Sequence, residues 1–219
     1  MSITIGIDVG KAADPTAIVV ARSEMRDDRH HFTVPFLSRV QIGTPYPDIV
    51  RRCAEVINGV ERRLVWDISE KLQMPAYLPE VENRARDSIW VLVDSTGVGA
   101  PVVDLLRELV PGTKICAVLF THGEHCSVTW RAAEGTMGKG FLVSRLQVLI
   151  QSGRVHLPKG EESEVLVEEL RDYEMSISEK GTDTYGAFRV GSHDDLVTAL
   201  GLATLLDHKP MRTVRSYRY

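Results

Sequence analysis

Four aspartates stand where an apolar stretch begins or ends. Asp8 closes ITIGIDV, Asp94 closes SIWVLVD, and the adjacent Asp194 and Asp195 open DDLVTALGLA. Acids beside apolar strands are costly to bury unless a cation or another partner compensates. Each has an ordinary explanation by itself. An aspartate turning into a loop bonds its own backbone, and acids in a first turn face the positive end of the helix dipole. Together they offer chemistry. Carboxylates gathered at one point repel each other unless divalent cations neutralise them, and oxygen-only ligands suit Mg²⁺ or Mn²⁺. Two such ions a few ångströms apart activate water and stabilise the leaving oxygen of a phosphodiester. Convergence requires the two acid-bearing strands to be neighbours in one sheet, with the last helix packed alongside.

The hydrophobic pattern supplies elements of that kind. Residues 3–9 and 16–22 read as strands rich in β-branched residues, joined by the turn GKAADP. Residues 31–42 read as a third strand in which Pro35 implies an edge or a break. The opening is therefore an antiparallel meander. A helix follows, with Ile49, Cys53, Val56, Ile57 and Val60 at helical spacing and Pro47 near its start. Residues 73–87 are expected to be a loop. The strand 88–94 runs through STGVGAP into the helix VVDLLRELV, and KICAVLF (114–120) is another strand. Residues 121–138 are expected to be a long irregular connection. FLVSRLQVLIQSG (141–153) is an amphipathic helix closed by Gly153, and EESEVLVEELRDY is a further helix. EMSIS and YGAFRV suggest short strands, and DDLVTALGLATLLD is the last helix. On that helix an apolar face of Leu196, Val197, Leu200 and Ala203 leaves Asp194 and Asp195 on opposite flanks, each roughly 120–140° from its centre. The order predicts an α/β fold, a mixed sheet flanked by helices.

Composition limits the function classes. With 26 basic against 30 acidic residues and a net charge of −4, the chain is no uniformly basic nucleic-acid binder, though a basic groove on an acidic body stays open. Cys53, Cys116 and Cys126 are scattered and odd in number, which points to a reducing compartment without a disulfide framework. No signal peptide is evident at the start, and no apolar run approaches the ~18 residues of a membrane span. AEGTMGKG (133–140) looks like a damaged phosphate loop, with Ala133 for its first glycine and Gly140 for its Ser/Thr, and is expected to be a flexible helix entry instead of an ATP site. His122, His125 and Cys126 fall short of the four ligands of a structural zinc site. Lys139 and Arg145 are candidate contacts for DNA phosphate. The tail from residue 209 carries Lys209, Arg212, Arg215 and Arg218 without an acid.

The chain resembles the nuclease domain of the large terminase subunit of tailed bacteriophages. GIDVGKAADPTAIVV, VLVDSTGVGAPVVDLL, GKGFLVSRLQVLIQSGRVHLP and HDDLVTALGLA carry the resemblance, in the family's order and over most of residues 3–206. It implies an RNase H-like fold for residues 1–208, followed by a basic tail over 209–219. It also implies an endonuclease that cleaves concatemeric viral DNA during genome packaging, with two divalent cations, Mg²⁺ or Mn²⁺. The family's acids fall on Asp8, Asp94 and the Asp194/Asp195 pair, with Asp194 favoured as the third catalytic ligand. The implied partners are double-stranded DNA, a packaging ATPase domain, small terminase and portal proteins, with no membrane, in the cytoplasm of a bacterial host. Family members normally carry an N-terminal packaging ATPase that is not found in this sequence, so an excised domain or a separate protein is expected. Two other readings stand beside this one. An actin- or sugar-kinase-type ATP-binding module shares the core and an Asp–x–Gly turn, but needs two such domains. A non-catalytic packaging adaptor would keep the fold without needing the acids.

Overall fold

The computed structural model describes residues 2–10, 14–180 and 194–208. Side-chain parity along β1 (Ser2–Asp8) sets its layering. Ile3, Ile5 and Ile7 enter one hydrophobic core, so Thr4, Gly6 and Asp8 face the opposite side. β4 (Ile89–Asp94) repeats the pattern: Ile89, Val91 and Val93 join the isoleucines, while Trp90 and Leu92 enter a second core. β1 and β4 are parallel neighbours with Ile7 opposite Val93. Asp8 and Asp94 therefore leave the same end of the sheet side by side, on the same face.

The remaining strands are β2 (Thr16–Arg26), β3 (Arg29–Val40), β5 (Lys114–Thr121), β6 (Cys126–Thr129), β7 (Glu134–Gly138) and β8 (Val155–His156). Among the described residues the sheet runs β6-β7-β5-β4-β1-β2-β3-β8. The meander β1–β2–β3 is antiparallel, as its pattern predicts, and β1, β4, β5 and β7 are parallel. Pro35 sits where the β2–β3 register shifts between Val20 and Arg22, a site that tolerates a missing N–H. α1 (Tyr46–Leu72), α2 (Pro79–Asp87) and α3 (Gly99–Leu109) lie on the isoleucine side. α4 (Lys139–Gln151), α5 (Glu161–Lys180) and α6 (Asp195–Ala203) cover the other. The expected α/β class, a mixed sheet with helices on both faces, is the one observed.

Several local expectations give way. Residues 79–87 are helix α2, not loop; Pro79 starts it and Val81 and Ala85 are its buried residues, too thin a stripe to register as a period. The stretch 121–138 contains the β6–β7 hairpin instead of an irregular connection. EGTMG has little strand propensity, but its backbone completes the open edge of β5. EMSIS belongs to α5, because a five-residue alternation does not outweigh cooperative extension of the preceding helix. YGAFRV and the tail from residue 209 lie outside the described residues.

α6 is buried along its whole length, so the apolar face and acidic flanks expected of it become a helix enclosed on all sides. It reaches the sheet through Gly6, where a Cβ would sit 2.0 Å from the Ala199 carbonyl oxygen and 2.6 Å from the Ala203 nitrogen. Gly6→Ala therefore pushes α6 off β1 and is expected to cost about 2 kcal/mol or more, in the range of overpacked cores. Gly59→Ala in α1, where a Cβ meets nothing within 4 Å, is expected to stabilise by about 0.5–1 kcal/mol. Denaturant unfolding of both variants checks the opposite signs.

Candidate active site

The turn after β4 presents Asp94. Its Oδ1 accepts the Thr96 N–H at 2.7 Å, while the Thr96 Oγ1 accepts the Phe120 N–H at 3.0 Å. Gly99 lets the chain fold back, since a Cβ there would lie 1.8 Å from the Asp94 carbonyl oxygen. Asp94 thus bonds its own turn, as an isolated aspartate would, and DSTGVG is the tight strand-to-helix turn that its small residues imply. Asp94 also meets Asp8, whose hydrogen bond helps to hold the Asp94 carboxyl.

Asp8 is where the charges concentrate. Burial, followed by the charges of Asp94, Asp194 and Asp195, pushes its carboxyl well above the usual range. Lys139 opposes them. Burial also raises Asp94, offset in part by the Thr96 hydroxyl and N–H, Lys139 and Asp8. The other three sequence-derived acids therefore all act on Asp8. Asp194 is the N-cap residue of α6 and Asp195 is the first residue of that helix, buried at 5 % exposure.

Lys139 opens α4 and reaches the same place. Its Nζ lies 2.9 Å from the Asp194 Oδ2. Burial works against its charge, but Asp194, Asp8 and Asp94 outweigh that and hold its pKa above the usual value. Sequence reasoning singled out Lys139 as a phosphate contact and missed its place among the acids; its only signal was position at a helix start beside small residues. Arg145 turns inward: its guanidinium bonds the Thr204 Oγ1 at 2.9 Å and the Thr204 carbonyl, at the C-terminal end of α6. That is a favourable place for a cation on a helix dipole. The degraded phosphate loop is strand β7 running directly into α4. His122 and His125 lie on the segment between β5 and β6, where the Gly123 and His125 carbonyls accept the Gly140 and Gly138 N–H groups.

The donor set is all oxygen and strongly anionic, which suits hard divalent cations. Among the described residues, no three carboxylate, imidazole or thiol side chains close around a single point. The electrostatic coupling and the missing cage are reconciled by Lys139, whose ammonium holds Asp194 and supplies part of the positive charge the acids require.

Because the folded state raises the Asp8 pKa, metal-free protein is stabilised below the ordinary carboxylate pKa and loses that contribution as pH rises through the raised value. Asp8→Asn removes the titration. In chelator, the stability of Asp8→Asn relative to the unsubstituted protein is expected to grow with pH. Adding Mn²⁺ is expected to stabilise the unsubstituted protein and leave Asp8→Asn unmoved. Denaturant curves across pH, with and without Mn²⁺, check both signs.

The sequence profile described as Terminase RNaseH-like domain matches residues 5–206. No protein of curated function matches. Among solved structures, a human cytomegalovirus terminase nuclease domain, Mn soaked and inhibitor bound, is similar with 16% identity and a TM-score of 0.45, over 93% of this chain and 82% of that one. T. thermophilus RuvC in complex with a Holliday junction substrate is similar with 11% identity and a TM-score of 0.30, over 93% and 90%. Neither likeness is close enough to carry a residue's role across. The profile match is of another order: it runs from β1 through α6 and takes in Asp8, Asp94, Asp194 and Asp195. The chain belongs to the terminase RNase H-like domain family.

Proposed function

We propose that the chain is a divalent-metal-dependent DNA endonuclease that cuts concatemeric viral DNA during genome packaging, in the cytoplasm of a bacterial host. The observation that carries this reading is buried Asp8, which leaves the same end of the sheet as Asp94 and feels the charges of Asp94, Asp194 and Asp195. Family membership supports the substrate class. In this reading residues 1–208 are the nuclease domain and 209–219 a basic tail. Its partners are a packaging ATPase domain, small terminase and portal proteins.

Asp8, Asp94 and Asp194 would hold two Mg²⁺ or Mn²⁺ ions, with Asp195 beside them. Bound there, such ions activate water and stabilise the leaving oxygen of the phosphodiester. The chain's own residues prepare the place. A cation held there would favour the ionised form of Asp8, whose carboxyl burial otherwise keeps high. Asp94 is held in orientation by the Thr96 N–H. Lys139, paired with Asp194, would supply a positive charge beside the acids for a DNA phosphate. Duplex binding is mainly to the backbone, since the sequence holds no base-reading motif such as a zinc finger. Of the two candidate phosphate contacts, Lys139 is the one beside the acids, while the Arg145 guanidinium bonds Thr204.

Purified protein is expected to nick supercoiled plasmid in Mn²⁺ and to stop in chelator. Asp8→Asn and Asp94→Asn are each expected to lower cleavage by at least about 100-fold, the upper end of what losing a metal's outer-shell partner costs. Both should keep an unchanged far-UV circular dichroism spectrum. Cleavage by either variant at the unsubstituted rate overturns the proposal. So does cleavage that chelator leaves untouched.

A further inference from the structure

α6 is a helix without a water-facing side. Every residue from Asp195 to Ala203 is buried, so the N–H groups of its first turn have no solvent to bond. Asp194, at the N-cap position, makes no side-chain cap bond. Its Oδ2 is turned instead to the Lys139 ammonium. The cap comes from another helix. Glu169 of α5, only 5% exposed, accepts the Val197 N–H at 3.1 Å through Oε2. Its Oε1 pairs with the Arg39 guanidinium near the end of β3. The Arg39 backbone N–H also donates to the Glu162 Oε1 at 3.4 Å. A carboxylate at a helix N-terminus gains from the dipole and from a charge-assisted bond, and Arg39 offsets the cost of burying it.

The arrangement divides two tasks that one residue ordinarily performs. An aspartate at an N-cap usually spends its carboxylate on the first-turn N–H groups. Here that carboxylate points to the acid centre, and an oxygen from α5 takes its place on the backbone. We infer that Glu169 is a positioning residue for the acid centre: by capping α6 from outside it releases Asp194 from capping, and fixes the helix start at which Asp194 and Asp195 face Asp8 and Asp94. Val197 lies within one turn of both aspartates, so slippage of that turn moves their carboxylates directly. Metal bonds tolerate about ±0.2 Å, which makes that slippage costly. The inference rests on the reading of these acids as a divalent-cation centre. In the sequence, nothing separates Glu169 from the neighbouring Glu168.

Three substitutions separate this role from a plain tie between α5 and β3. Glu169→Gln keeps an acceptor oxygen for the Val197 N–H and gives up the charge pair with Arg39. Glu169→Ala removes both. Glu169→Asp keeps the charge and withdraws the oxygen by one methylene. Two readouts apply: hydrogen exchange of the Val197 amide in chelator, and Mn²⁺ affinity by calorimetry. Glu169→Ala is expected to speed the exchange at least about 10-fold. It is also expected to weaken Mn²⁺ binding about 10-fold or more, as loss of an outer-shell partner does. Glu169→Gln is expected to stay within about threefold of the unsubstituted protein on both. If Glu169→Ala does not fold, Glu169→Asp carries the test, with faster exchange and weaker Mn²⁺ binding expected. Unchanged values in the Ala or Asp variant overturn the inference, as does a Gln variant as impaired as Ala. If the unsubstituted protein binds no Mn²⁺, the metal-centre reading fails, while the exchange measurement still decides whether Glu169 holds α6.

Discussion

Carboxylates brought together at the end of an apolar sheet repel one another and lose hydration, and the surrounding elements are arranged around that cost. Asp8 bears most of it, placed between Asp94 on the neighbouring strand and the pair that opens α6. A protein selected for stability alone would have no reason to gather these charges, since buried acids are retained only where something compensates them. Two partial compensations are built in: the Lys139 ammonium, and the Thr96 N–H that Asp94 accepts. Among the described residues, the charges of Asp94, Asp194 and Asp195 act together on Asp8, with Lys139 opposing them. That imbalance is the physical basis for assigning cations to it.

The fold supplies the close approach through what it omits. Gly6 has no side chain, so α6 rests on the β1 backbone and its start reaches the end where Asp8 emerges. Gly99 does the same for the turn behind Asp94. Enclosing α6 completely then creates a second demand, because a buried helix start cannot be capped by water. Glu169 and Arg39 meet that demand from α5 and β3. The acid centre thus draws on both edges of one layer: α4 brings the lysine and α5 brings the cap.

The parts of this arrangement legible in the sequence are those with a period or an abrupt change of polarity. β1 and β4 alternate or run apolar and then end on an acid, so Asp8 and Asp94 stood out before their neighbours were known. The pair Asp194–Asp195 marked a helix start for the same reason. Their convergence was not legible, because it depends on β1 and β4 being parallel neighbours, a long-range pairing that no local pattern encodes. Lys139 was visible as a basic residue at a helix start, but not as a partner of Asp194, from which it is separated by 55 residues. Glu169 lay hidden in an acid-rich helix whose solvated and buried glutamates share one chemistry. The β6–β7 hairpin and α2 were missed for a related reason: edge completion and a two-residue apolar stripe leave almost no periodic signal.

A crystal structure of the protein soaked in Mn²⁺, with anomalous data, tests the central claim most directly. Two anomalous peaks are expected between Asp8, Asp94 and the Asp194/Asp195 pair, with carboxylate oxygens at about 2.0–2.6 Å and Asp194 parted from Lys139. Soaked crystals in which Asp194 stays paired with Lys139, and no anomalous density lies within reach of Asp8 and Asp94, would contradict it.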